Sequence, residues 1–371
     1  MKPHPKSSTH RRTLGMMLLM AVTLVSAARA AEPTINHLNT VTVLSSTVPA
    51  NGDVNPYGLA RIPRTHGNLI EGRFLISNFN NSTNAQGTGT TIVQIAPDGT
   101  FTQFAQIEAS QVDCPGGIGL TTALVALRSG YVIVGSLPTT DGTSATAQAG
   151  CLIVLDSWGH TVKSFWGHNI NGPWDMTAVD GDFFAVLFVT NVLNGTVAAN
   201  GAVVNRGTVA RLLLAIPPGR SPDLLDSTVI ADGYAERTDP NALVIGPTGV
   251  AFDEDSGVLY VADTLGNRIA AVPNALVRFN PEHEGKIVFS GGALNGPLGL
   301  TLTHDHRLIA ANGDDGNLVE INPFTGKQIG VKLVDDTGGP PAGAGALFGL
   351  LATPDGVYFV DDAANTFNLL H

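Results

Sequence analysis

The sequence predicts an all-β fold, a six-bladed β-propeller whose ring is closed by an N-terminal strand completing the last blade. Three observations predict it. A strand-and-turn pattern recurs six times along the chain. Each copy holds about four short apolar strands bounded by Gly, Pro, Asp and Asn. The last copy stops after its third strand, while a spare strand stands near the other terminus.

The clearest copy begins at Gly246-Pro247-Thr248-Gly249-Val250-Ala251-Phe252 and turns through Asp253 to Gly257. It continues as Val258-Leu259-Tyr260-Val261-Ala262-Asp263, then Ile269 to Val272 and Lys286 to Ser290. The same order recurs from Gly296 and from Leu347, and Gly249, Gly299 and Gly349 are spaced by 50 residues. Looser copies place Gly58, Thr122 and Asp175 at the equivalent position. A lone four-stranded sheet leaves both faces bare, so the copies must stack, and radial stacking gives a propeller. Thr40 to Leu44 is the spare strand. Pairing it with Thr366 to Leu370 joins the chain ends and removes two open edges.

The first thirty residues stand outside this pattern. Lys2, Lys6, Arg11 and Arg12 form a basic head, Leu14 to Val25 an apolar run, and Ala28-Arg29-Ala30 a small-residue cleavage site. This is the layout of a secretory signal peptide cut before Ala31, leaving residues 31–371 as a single propeller domain exported to the periplasm or secreted. Removing the leader takes five basic residues and no acids. That leaves 15 basic against 31 acidic side chains, a formal charge of −16. Such a balance disfavours nucleic acid and anionic membranes as partners. No later segment reads as a membrane span. For Cys114 and Cys151 two readings stand in an oxidising compartment, a disulfide and free thiols.

The segment Pro247-Thr248-Gly249-Val250-Ala251, with Leu259 to Thr264 and Gly266-Asn267-Arg268-Ile269, resembles an NHL repeat. The resemblance implies a six-bladed NHL-type propeller over essentially the whole mature chain. It also implies that the residue before each aligned position sits at one channel mouth: Tyr57, Thr121, Trp174, Thr248, Leu298 and Phe348. Related six-bladed lactonases hold a divalent metal with carboxylates and Asn at such places. Three aromatics, a leucine and two threonines do not suit a hard cation, which takes several oxygen ligands. No metal and no cofactor is therefore expected.

The polar residues ending each second strand are Asn78, Ser136, Asn191, Asp263, Asn312 and Asp361. They read either as a polar ring for a ligand or as caps of their own turns. His304-Asp305-His306 falls on a first-to-second strand turn, on the face away from the mouth. The second-to-third strand loops are long in the first three copies alone: Phe79 to Gly89, Leu137 to Gly150 and Val192 to Arg206. Long loops on a rigid scaffold often carry binding. The expected function is thus a binding or interaction module whose ligand or protein partner meets the long-loop face. Tyr57, Trp174, Asp175, Asp263, Asn312 and Phe348 are its candidate ligand-binding residues. The alternatives are a propeller-type hydrolase or lyase of lactonase kind and a structural envelope component. No nucleophile elbow or phosphate loop is present.

Overall fold

Six sheets are arranged as the blades of a propeller in the computed structural model, which describes residues 34–371; they are antiparallel except where Glu282–His283 pairs parallel with Asp223–Asp239, the outer strand of the third blade. The signal peptide expected over residues 1–30 lies outside the described residues.

Blade 1 runs from its inner to its outer strand as Val54–Arg61, Phe74–Asn80, Thr91–Ile95 and Phe101–Gln106. Blade 2 is Leu124–Ala126, Val132–Ser136, Cys151–Leu155 and Thr161–Trp166. Blade 3 begins with Pro173–Asp180 and Phe184–Asn191, followed by the longer Val204–Ala215 and Asp223–Asp239. Blade 4 is Pro247–Asp253, Val258–Asp263, Arg268–Val272 and Lys286–Ser290, and blade 5 is Pro297–Leu302, Leu308–Asn312, Asn317–Asn322 and Lys327–Leu333. Blade 6 takes three strands from the C-terminal end, Leu347–Thr353, Gly356–Asp361 and Thr366–Leu370. Its outer strand, Val41–Ser46, comes from the N-terminal side and pairs antiparallel with Thr366–Leu370.

Burial follows from stacking. The second and third strands are covered on both faces, so Phe74–Asn80 and Cys151–Leu155 are buried at every position. The outer strands face solvent, and Val41–Ser46 is mostly exposed. Apolar clusters fill the spaces between neighbouring blades. Phe74, Ile76 and Val93 of blade 1 meet Tyr358, Val360 and Phe367 of blade 6, sealing the ring where the two chain ends meet.

The recurring glycine has a steric cause. A Cβ at Gly249, Gly299 or Gly349 would strike the backbone carbonyl of Leu298, Phe348 or Tyr57 on the next inner strand. The inner strands therefore pack backbone to backbone around the channel. Just before this point the pairing slips by a bulge in blades 1, 3, 4, 5 and 6, for example between Pro247 and Val250. Bulges bend and twist a strand, and these turn the preceding residue toward the mouth.

Blade 3 departs from the expected four short strands. Asp223–Asp239 has 17 residues, and its end runs beyond the blade and pairs with Leu243–Ile245. That hairpin stands over the channel mouth. Cys114 and Cys151 form a disulfide with a Cα–Cα distance of 5.8 Å, tying the loop before blade 2 to its third strand.

Candidate functional site in the upper channel mouth

Four of the six residues before the aligned positions, Tyr57, Trp174, Leu298 and Phe348, line one mouth, and the aromatics among them form a packed cluster. Tyr57 and Trp174 are only 1% and 4% exposed. Trp174 Nε1 donates a hydrogen bond to the Tyr57 hydroxyl at 2.8 Å. The Tyr57 ring lies edge-to-face with Trp174 at 6.0 Å and stacks on Phe348 at 5.0 Å. Phe79 joins from the end of the strand Phe74–Asn80, 6.5 Å from Tyr57. Burial, with the charge of Asp175 adding to it, pushes the Tyr57 phenol well above its usual range. Thr248 turns its hydroxyl to Thr264 at 2.8 Å and so serves packing. The aromatic set forms a floor across the channel, and of its members Phe348 stays half-exposed.

Above this floor lies a cavity of about 520 Å³. Its walls come from the blade 3 hairpin (Arg237, Asp239, Asn241), the Gly/Pro loop at Gly339 and Pro340, the first long loop (Gln86), and Asn55, Asp314 and Asp362. Arg237 Nη2 donates to Asp239 at 2.9 Å, and Gln86 Nε2 donates to the Asn241 carbonyl at 3.0 Å. Asn55 Nδ2 donates to Asp362 Oδ2 at 2.9 Å. Three polar atoms on these wall residues are buried without a hydrogen-bond partner: Gln86 Oε1, Arg237 Nε and Asp362 Oδ1. A buried polar group left unpaired costs about 1–3 kcal/mol, so their gathering at one pocket marks it as built to receive polar atoms. Burial pushes the Asp362 carboxyl well above the carboxylate range, against the lowering effect of the Asn55 hydrogen bond. Behind it, burial raises Asp361 to about 6, with the neighbouring Asp335 adding to the shift.

A second chamber of about 360 Å³ lies on the other side of the floor, lined by the inner strands and by Asp175. Tyr57 lines both chambers. Asp175 stands where blades 1, 4, 5 and 6 have glycine. Its Oδ1 accepts from the Met176 amide at 2.8 Å, and burial raises its carboxyl to about 7.

The six candidate ligand residues are thus divided. Tyr57, Trp174 and Phe348 come together under the upper cavity, and Asp175 lies beyond them. Asp263 is 1% exposed, paired with Arg268 at 2.7 Å and accepting from the Gly266 amide at 3.1 Å. Asn312 holds the Asn295 amide at 3.1 Å and the Ala293 carbonyl at 2.8 Å. Neither lines either chamber. Asp263 and Asp361, which accepts from the Ala364 amide, cap their own turns, while Asn312 and Asn191, which accepts from the Asn171 amide, hold the loop that leads into their blade's inner strand.

Gln86, Arg237, Asp239, Asp314 and Asp362 escaped the sequence reading as site residues. One signal was present: Asp175 and Gly249 are 74 positions apart, against 50 in the later copies, which announces the hairpin insertion. Nothing local to Asp362 distinguished it from its neighbour Asp361.

On the opposite rim, the His304-Asp305-His306 turn brings His306 to two carboxylates of blade 4. Its Nδ1 is 3.1 Å from Asp253, and its Nε2 is 3.2 Å from Asp255. Among the described residues this is the one group of three acidic, histidine or cysteine side chains within reach of a common ion.

No family profile matches the chain, and no curated protein matches its sequence. Solved propellers match its fold. A gluconolactonase from Xanthomonas campestris aligns at a TM-score of 0.54 with 14% identity, over 89% of this chain and 88% of that one. A luciferin-regenerating enzyme aligns at 0.51 with 11% identity, over 89% and 94%. Regucalcin from Agrobacterium tumefaciens, described as a calcium-binding protein, aligns at 0.50 with 15% identity, over 88% and 92%. At such identities the likeness is one of fold. The upper mouth does not fit a calcium ion: its centre holds aromatic rings and Leu298, and among the described residues its carboxylates, Asp239, Asp314 and Asp362, do not gather within reach of a common ion.

Proposed function

We propose that the protein is an exported propeller that binds a small molecule with an apolar body and a polar head in the upper cavity. The observation that carries the reading is the meeting of three unpartnered polar atoms with an aromatic floor in one pocket of ligand size. The first long loop and the blade 3 hairpin wall the pocket, so the long-loop face remains the face where ligand or partner is met. We read the repeats as NHL-like and the first thirty residues as an export signal. The disulfide agrees with an oxidising compartment, and no helix among the described residues is long and apolar enough to cross a membrane.

A second reading is a hydrolase or lyase of lactonase kind, and the fold comparisons favour it, since the matched structures include a gluconolactonase and a luciferin-regenerating enzyme. In that reading Asp362, a cavity-lining carboxyl that burial holds well above the carboxylate range, serves as the general acid or base.

A metabolite library screened by thermal shift tests both. A ligand at about 100 times its Kd adds about 2.7 kcal/mol. The expected shift is present in the native protein and lost in Phe348→Ala. A shift that survives this substitution would move the site elsewhere. Hydrolysis of lactones and aryl esters that disappears in Asp362→Asn would establish the enzymatic reading; equal turnover in that variant would remove Asp362 from it.

A further inference from the structure

The charges around the upper cavity select among polar heads. Arg237 is the one cation lining the pocket among the described residues, and Asp239 neutralises it at 2.9 Å. Asp314 and Asp362 line the same cavity and are in no ion pair of the described residues. Asp362 is held by a single neutral donor, the Asn55 amide, and its Oδ1 has no partner. Asp361 and Asp335 stand behind it. Asp314 feels Arg237 from a distance, in competition with Asp239, and Asp362 faces the cavity with no cationic neighbour. Arg237 offers an anionic ligand its unpartnered Nε alone, since its Nη2 is held by Asp239, and the carboxyl groups of Asp239, Asp314 and Asp362 line the same cavity.

The remaining wall suits a cation as well. Aromatic faces attract cations, by about 0.5–1 kcal/mol at exposed sites and more where water is excluded. Phe348, half-exposed and stacked on Tyr57, presents such a face together with Leu298. Of the three unpartnered atoms, Gln86 Oε1 and an ionised Asp362 Oδ1 accept, as an N–H-rich head requires, and Arg237 Nε donates.

From this arrangement we infer that the upper cavity takes a primary amine: an ammonium head held by Asp362 and Gln86, with Asp314 adding to the field from the cavity wall, and an apolar body laid on Phe348 and Leu298. The inference rests on the proposed small-molecule site and specifies its ligand class. Burial keeps the Asp362 carboxyl well above its usual range, and an adjacent ammonium is the group that would draw it back down.

Three probes of one shape separate the possibilities: 4-phenylbutylamine, 4-phenylbutan-1-ol and 4-phenylbutyrate, titrated into the full protein at neutral pH by ligand-observed NMR. The amine is expected to bind about ten-fold more tightly than the alcohol, and the carboxylate more weakly than either. Asp362→Asn should bring the amine down to the level of the alcohol while the alcohol still binds. Asp314→Asn, at an exposed position, should cost the amine about three-fold and the alcohol nothing, and it provides the test if the first variant folds poorly. Equal binding of amine and alcohol, or tighter binding of the carboxylate, would overturn the amine assignment while leaving the pocket. Binding of none of the three would overturn the pocket itself.

Discussion

Replacing Asp175 with Asn should change how the stability of this protein depends on pH. The carboxyl sits in the channel beneath the aromatic floor, and burial raises it from 3.8 to about 7. Between those values the folded protein keeps a proton that the unfolded chain has released. Stability then falls as pH rises, by up to about 1.4 kcal/mol per unit for this one group. The destabilisation amounts to about 4 kcal/mol, complete above pH 7 and absent below about pH 4. Glu236, raised to about 7 chiefly by burial, and Asp361, raised to about 6, add slopes of the same sign. The informative quantity is therefore the difference between native and variant. An Asn keeps an oxygen for the Met176 amide and never ionises. Asp175→Asn should exceed the native protein by about 1 kcal/mol at pH 4.5 and by about 4 kcal/mol at pH 8, relative to their difference at pH 3. At the usual unfolding entropy per residue, a chain of this size would melt roughly 6 °C higher at pH 8. Urea unfolding from pH 3 to 8 measures it. A native–variant difference that stays constant across that range would refute the reasoning, because it would place an ionised, well-solvated carboxylate in the channel.

Two further outcomes follow from the packing. Trp174→Ala removes a 4%-exposed indole and the hydrogen bond on the Tyr57 hydroxyl, and should cost about 3–5 kcal/mol in chemical denaturation. A loss below about 1 kcal/mol would take Trp174 out of the core. The disulfide closes a sequence separation of 37 residues, so replacing Cys114 and Cys151 together by Ala should lower stability by about 4 kcal/mol. Equal stability of the native and doubly substituted proteins would count against the bridge as a stabilising tie.

The aromatic floor gives a physical reason for the division between the two chambers. Tyr57, Trp174 and Phe348 occupy the same position in three different blades, the bulge at each inner strand turns them to the axis, and their rings are large enough to meet there. The step from aligned residue to mouth residue was legible because the repeat imposes it. That the rings would close the channel and become a floor was not, since it depends on distances across the ring between residues 117 positions apart. Asp175, one residue along from Trp174, was grouped with the aromatics on sequence proximity; adjacent residues of a strand point to opposite sides, and the floor then separates them.

His306 shows the same limit. Its turn was readable in the repeat, but Asp253 and Asp255 reach it from the preceding blade, some 50 positions earlier in the chain.

By itself the sequence determined the repeat, the number of blades, the strand that closes the ring and the glycine positions, because each is a local pattern repeated at a steady interval. Only the tertiary structure decided that Cys114 and Cys151 pair, and that the blade 3 hairpin, the Gly/Pro loop, Gln86 and Asp362 enclose one cavity. Those residues lie on different blades with no shared period. Their meeting depends on how far each insertion reaches over the mouth, a distance set by the packed ring and carried by no local pattern.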